Sequence, residues 1–81
     1  MDEIQRFLLV FDAYCSAVGK AQATVSAKFL GRGSRIEELR AGGDIGAKVL
    51  ARTLRGFSVH WPEGAEWPEG IERPSSTEEP E

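Results

Sequence analysis

Residues 21 to 42, AQATVSAKFLGRGSRIEELRAG, place two short amphipathic runs on either side of a glycine corner, and the rest of the chain has to pack around that corner. The first run, Ala21 to Leu30, carries Val25, Phe29 and Leu30 on one side. Gly31 and Gly33 bracket Arg32, and glycine takes the left-handed conformation a sharp turn needs. Ser34 stands where a helix N-cap belongs, three residues before Glu37. Ser-x-x-Glu is the spacing of a capping box, in which hydroxyl and carboxylate each satisfy an orphan backbone N–H. Ile36 and Leu39 give the second run a buried side, and Gly42 and Gly43 end it.

A chain of 81 residues has room for one modest core. Such a core supplies little stability by itself, so a homodimer is expected. The single cysteine, Cys15, forms no internal disulfide, which fits a reducing cytosol. One Cys and one His (His60) do not make a metal site, and no metal or cofactor is expected. The chain starts Met-Asp-Glu, without a basic leader, and no apolar run reaches ~18 residues, so neither a signal peptide nor a membrane span is expected.

The net charge of −3 conceals two opposite halves. Residues 1–57 hold nine Lys or Arg against six acids, a net of +3, whereas residues 58–81 hold only Arg73 against seven glutamates, a net of −6. The body is basic and the tail acidic.

The periodicity predicts a first helix from Glu3 to Val18, N-capped by Asp2 and closed by Gly19, with Ile4, Phe7, Leu8, Phe11, Tyr14, Cys15 and Val18 as its apolar stripe. Leu9 and Val10 are read as lying off that stripe, available to a partner. The corner supplies helices over 21–30 and 34–41. Asp44 is expected to cap a long fourth helix that carries Ile45, Val49, Leu50, Leu54, Phe57 and Trp61, with Ala47 and Ala51 in narrower places and Pro62 as its stop. Lys48, Arg52 and Arg55 lie on its other side. The two long helices form a floor for the short pair. The expected architecture is all-α: a compact four- to five-helix domain over 1–61, with an irregular acidic tail over 62–81. In the tail Trp61-Pro-Glu-Gly recurs as Trp67-Pro-Glu-Gly, too few copies for a repeat fold. The two tryptophans gain by folding back on the core, and the last eight or so residues, Pro/Ser/Thr/Glu without an apolar anchor, are expected to be disordered.

The order helix, short helix, Gly turn, short helix, Leu39-Arg40-Ala41-Gly42, long amphipathic helix resembles the lambda-repressor-like (Xre-type) helix-turn-helix domains. Leu30-Gly31 matches the usual end of that family's second helix, and Leu39 to Gly42 resembles the end of its recognition helix. The resemblance covers about residues 3 to 61 and departs where the family has Thr-Gln-Glu-Glu-Leu and this chain has Ala21-Gln22-Ala23-Thr24-Val25. It implies a small bacterial or prophage regulator of transcription, a cytoplasmic, nucleoid-associated repressor that binds double-stranded DNA. A second register is also present: Gly19 followed by Thr24-Val25-Ser26 resembles the turn and recognition helix of LacI-type repressors, in which residues 21 to 30 enter the groove and Thr24, Ser26 and Lys28 read it.

The chemistry follows from the first register, with residues 34–41 in the major groove. Arg32 and Arg35 reach base edges, where arginine makes paired bonds to guanine O6 and N7. Ser34 serves a base or a phosphate, Glu38 accepts from cytosine, and Arg40 lies at the helix end. Lys20, Gln22, Thr24 and Lys28 suit phosphates, which fix position without reading sequence. Glu37 and Glu38 oppose this reading, since carboxylates repel phosphates. Phe7, Phe11, Phe29 and Phe57 are core residues, Cys15 a small core residue, and His60 a helix-end residue. No paired carboxylates, nucleophile–base set or phosphate loop is present, so an enzyme is not expected. The alternative is a protein-interaction module on the same fold, an antitoxin or anti-repressor that uses the acidic tail or Leu9 and Val10.

Overall fold

The structure is a computed structural model that describes residues 2–74. Four helices account for its order: α1 (Glu3–Val18), α2 (Gln22–Leu30), α3 (Arg35–Arg40) and α4 (Ala47–Val59). The all-helical class expected from the periodicity is what the described residues show, with no strand among them.

Asp2 caps α1 as expected, and the capping box lies here rather than in the corner. The Asp2 carboxylate accepts from the Gln5 N–H at 2.8 Å, and the Gln5 side-chain oxygen accepts from the Asp2 N–H at 3.2 Å. α1 buries Phe7, Val10, Phe11, Tyr14 and Cys15. Val10 is therefore not a free surface: it stands three residues after Phe7 and four before Tyr14, which is on the stripe. Leu9 alone of that pair is exposed.

The fourth helix starts later than expected. Gly46 is its N-cap, while the Asp44 carboxylate accepts the Ile45 N–H inside the preceding loop, so Asp44 caps no helix. The helix ends at Val59, with His60 as C-cap and Trp61 beyond it. Ala47 and Ala51 are exposed, and the polar Thr53 and Ser58 are buried beside Leu50 and Phe57. Leu50 and Phe57 of the expected stripe are buried, Ile45, Leu54 and Trp61 pack at its edge, and Thr53 and Ser58 share the buried face.

Phe57 is the centre of the core. The rings of Phe29, Tyr14, Phe7 and Phe11 stand 4.6, 5.0, 5.9 and 6.0 Å from it. Such pairs each contribute about 0.5–1.5 kcal/mol beyond burial of their area. Val25, Ile36, Leu39 and Leu50 complete the core; α1 and α4 pack together and α2 packs on both, as expected of a floor, whereas α3 packs chiefly on α2 and reaches the core through Ile36 and Leu39.

The segment after α4 is part of this packing. Trp61, Trp67 and Ile71 lie against the core, and the two indoles sit 4.7 Å apart. Each Trp-Pro-Glu-Gly copy makes the same turn. The N–H of Ala65 and of Ile71 bonds to the carbonyl of Pro62 and of Pro68, and Gly64 and Gly70 take φ of 87° and 84°, which a side chain would oppose. In each copy the indole N–H donates to the carbonyl four residues on: Trp61 to Ala65 at 3.0 Å, Trp67 to Ile71 at 2.9 Å. Arg73 then returns to the end of α4, donating to the Ser58 hydroxyl at 3.0 Å and the Ser58 carbonyl at 2.8 Å, with its guanidinium 5.5 Å from the Trp67 ring centroid. The Ser58 hydroxyl in turn donates to the Pro74 carbonyl at 2.8 Å. The expected disorder of the last residues otherwise falls on 75–81, outside the described residues.

Candidate nucleic-acid interface

α2 and α3 are joined by Gly31-Arg32-Gly33-Ser34. Gly31 has φ 96°, which terminates α2. Gly33 is not left-handed; a Cβ there would lie 3.2 Å from the Ala23 carbonyl, so glycine permits the return of the chain onto α2.

The bond that closes the corner comes from α2. Ser26, 0% exposed, donates its hydroxyl to the Arg32 carbonyl at 2.7 Å and accepts the N–H of Ile36 at 3.2 Å. Ser34 has helical dihedrals and makes no side-chain cap bond, so the capping box over Ser34 and Glu37 does not form. An orphan N–H of α3 that a Ser34 cap would have taken is satisfied by Ser26. This places Ser26 inside the corner and removes it from the readers of the second register. At the other end α3 closes with Gly42 and Gly43 donating to the Leu39 and Glu38 carbonyls.

The nine residues singled out in the sequence fall into three groups and one outlier. Lys20, Thr24 and Lys28 recur at four-residue intervals and line one shallow cleft with Tyr14, Val18, Val25 and Phe29. All three are exposed, and among the described residues none is in an ion pair or side-chain hydrogen bond. Arg32 and Arg35 converge on Glu38, at 2.6 and 3.3 Å, and Arg35 also donates to the Asp44 carbonyl at 2.6 Å. Arg40 bonds the Asp12 carboxylate at 2.5 Å and the Gln22 side-chain oxygen at 3.0 Å, while the Gln22 amide donates to Asp12 at 3.3 Å. Ser34 is exposed and separate. The sequence reading does not anticipate Asp12, and it offers Ser26 only as a reader of the second register and not as the bond of the corner. A lone acid on the first helix and a serine after Val25 carry no local signal, because their partners lie 28 and 10 residues away.

The outward faces of the two helices differ. With Ile36 and Leu39 buried, the face of α3 turned to solvent is centred on Glu37 and Glu38. With Val25 and Ser26 buried, the outward face of α2 presents Ala23, Thr24, Ala27 and Lys28. α2 is therefore slim and free of acids, and α3 is acidic at its crest with arginines neutralised at its flanks.

Beneath the corner, burial raises the Cys15 thiol above its ordinary pKa, the nearby Asp12 carboxylate adding to the effect. Burial also raises the Tyr14 phenol, with Cys15 adding. Both stay protonated at neutral pH. Among the described residues no His, Cys, Asp and Glu gather as a metal site, and no helix is long and apolar enough to cross a membrane. No protein-family model matches the chain, and no curated protein or solved structure matches it.

Proposed function

We propose that the protein is a sequence-specific DNA-binding regulator of transcription, a repressor of the helix-turn-helix kind, in which α2 enters the major groove and the Gly19 turn joins it to α1. The observation that carries this reading is the contrast between the two outward faces: Ala23, Thr24, Ala27 and Lys28 on α2 against Glu37 and Glu38 on α3. A groove helix must come within hydrogen-bond reach of base edges between two rows of phosphates. Carboxylates at its crest oppose that approach, while small side chains permit it. Lys20 and Lys28 reach phosphates, and Thr24 faces base edges or a thymine methyl. In this arrangement α3 lies behind the reader. Its arginines and Arg32 of the turn are engaged by Glu38 and Asp12, and the buried Ser26 bonds fix the corner. A dimer would set two such helices about one DNA turn, ~34 Å, apart.

The test is fluorescence anisotropy on DNA from immediately upstream of the protein's own gene and on random DNA, at two salt concentrations. Loss of preference in Thr24→Ala and weaker binding to both DNAs in Lys28→Ala, with Arg35→Ala close to wild type, are expected for α2 as reader. The reverse pattern returns the role to residues 34–41, as in the lambda-repressor-like register. Equal, weak binding to both DNAs by all proteins directs the search to a protein partner, the antitoxin or anti-repressor alternative.

A further inference from the structure

We infer that the outward side of α4 is a second phosphate-binding strip, made of Lys48, Arg52 and Arg55, that holds the DNA backbone beside the reading helix; this rests on the proposed DNA-binding function. The three residues stand at i, i+4 and i+7, so they share one face of α4, opposite buried Phe57. All three are exposed. They span seven residues, about 10 Å at the helical rise, a length that meets about three charges of one strand at ~3.4 Å of axis each.

The surroundings set this face apart from an ordinary solvated one. Arg32, Arg35, Arg40 and Arg73 each bond to a carboxylate, hydroxyl or carbonyl of the same chain. The three cations of α4 make no ion pair among the described residues, and the first turn of α4 contains no acid. Arg32, Arg35 and Arg40 are paired with carboxylates, whereas these three stand together on one side without an ion pair among the described residues, as do Arg6, Lys20 and Lys28 elsewhere. The strip also adjoins α2. Gly56, one turn beyond Arg52, lets the Phe29 ring of α2 rest on α4; a Cβ there would be 3.3 Å from the ring. The Lys28 ammonium stands over that same ring, 5.7 Å from its centroid. The cations of α2 and α4 therefore flank one contact between the two helices.

The experiment measures binding to the upstream DNA and to random DNA across a salt series for the full chain and for Lys48→Gln/Arg52→Gln/Arg55→Gln. Arg6→Gln, an exposed base outside the strip, is the control for loss of charge in general. A charge-preserving variant, Lys48→Arg/Arg52→Lys/Arg55→Lys, tests whether charge alone is required. The strip predicts that the slope of log K against log salt becomes shallower by ~2–3 in the neutral triple variant, as for two or three lost phosphate contacts. Preference for the upstream sequence should be unchanged. The control and the charge-preserving variant should keep the wild-type slope. A wild-type slope in the neutral triple variant, or a change no larger than that of Arg6→Gln, overturns the strip and leaves the reading of α2 standing. A wild-type chain that shows no salt-dependent DNA binding overturns both.

Discussion

The hydroxyl of Ser26, in the middle of α2, accepts the N–H of Ile36 in the first turn of α3 while donating to the Arg32 carbonyl between them. One buried side chain thus fixes the angle of the corner by holding both the turn and the helix that follows it. Ser26→Ala leaves the buried Ile36 N–H without a partner and takes one of two donors from the Arg32 carbonyl, which keeps the Arg35 N–H, and should destabilise the protein by about 1–3 kcal/mol. Ser34→Ala, which removes no cap bond, should cost less than about 0.5 kcal/mol, the range of plain surface changes. Urea denaturation of both variants checks the contrast. Equal midpoints would transfer the capping role back to Ser34.

Glu38 holds Arg32 and Arg35 at once, at 2.6 and 3.3 Å, with its side chain 44% exposed. Exposed pairs of this kind contribute at most about 1 kcal/mol, so Glu38→Gln should barely alter the urea midpoint. It removes a carboxylate from the crest of α3 and frees two guanidinium groups. Affinity for random DNA at low salt should therefore rise several-fold, measured by anisotropy, with little change in sequence preference.

Thr53 is 3% exposed and its hydroxyl has no hydrogen-bond partner among the described residues. Valine has nearly the same shape and no polar atom to desolvate. Thr53→Val should stabilise the chain by about 1 kcal/mol, since an unsatisfied buried hydroxyl carries about 1–3 kcal/mol of desolvation cost. A higher thermal midpoint with unchanged helical circular dichroism is the expected result. A lower midpoint would mean that the hydroxyl has a partner.

The helices were legible in the sequence because the apolar spacing of α1 and α4 reports burial directly, and Asp2, Gly19 and Gly42 mark ends by local chemistry alone. The misreadings share one cause. Ser34 and Asp44 sit at positions where a cap is expected, but caps compete with tertiary partners, and in the corner Ser26 supplies the bond from outside the local window. Val10 is a separate case: its own spacing from Phe7 and Tyr14 puts it on the buried stripe and apart from Leu9. The basic residues of the candidate interface were legible as types. Which of them stay free depended on Glu38 and Asp12, and pairing across 6 and 28 residues leaves no pattern in one sequence. The repeated Trp-Pro-Glu-Gly was visible, but its indole bonds and the return of Arg73 to Ser58 follow only from the fold.

Burial raises the Cys15 and Tyr14 pKa values, so the folded state favours their protonated, neutral forms. Their contribution is complete below the unfolded values, about 8.5 for cysteine and 10 for tyrosine, and is lost as pH rises through the higher folded values. The urea midpoint should therefore show no pH dependence from these groups between about pH 6 and 8, where their contribution is complete, and should fall above about pH 9. In Cys15→Ala the earlier part of that fall should shrink. Labelling of the thiol at pH 8 should be slow until denaturant unfolds the chain; rapid labelling of the native protein would contradict the burial of Cys15.

Arg73 joins the segment after α4 to the body through a single residue, Ser58, and lies over Trp67. Its bonds reach the last turn of α4, where carbonyls lack helical partners and a cation is favoured by the helix dipole. Arg73→Ala should cost about 1–2 kcal/mol, as for charge-assisted hydrogen bonds that are partly buried. Arg73→Lys should recover only part of this, because one ammonium cannot reproduce the fork that meets the hydroxyl and the carbonyl together. Trp67→Ala removes both the platform for Arg73 and the partner of Trp61, and should cost more, about 2 kcal/mol or above for a half-buried indole. Combining Arg73→Ala with Trp67→Ala should cost less than the two changes separately, because the second removes a contact already lost. Urea midpoints of the four proteins complete that cycle, and strict additivity would show that the guanidinium and the indole act independently.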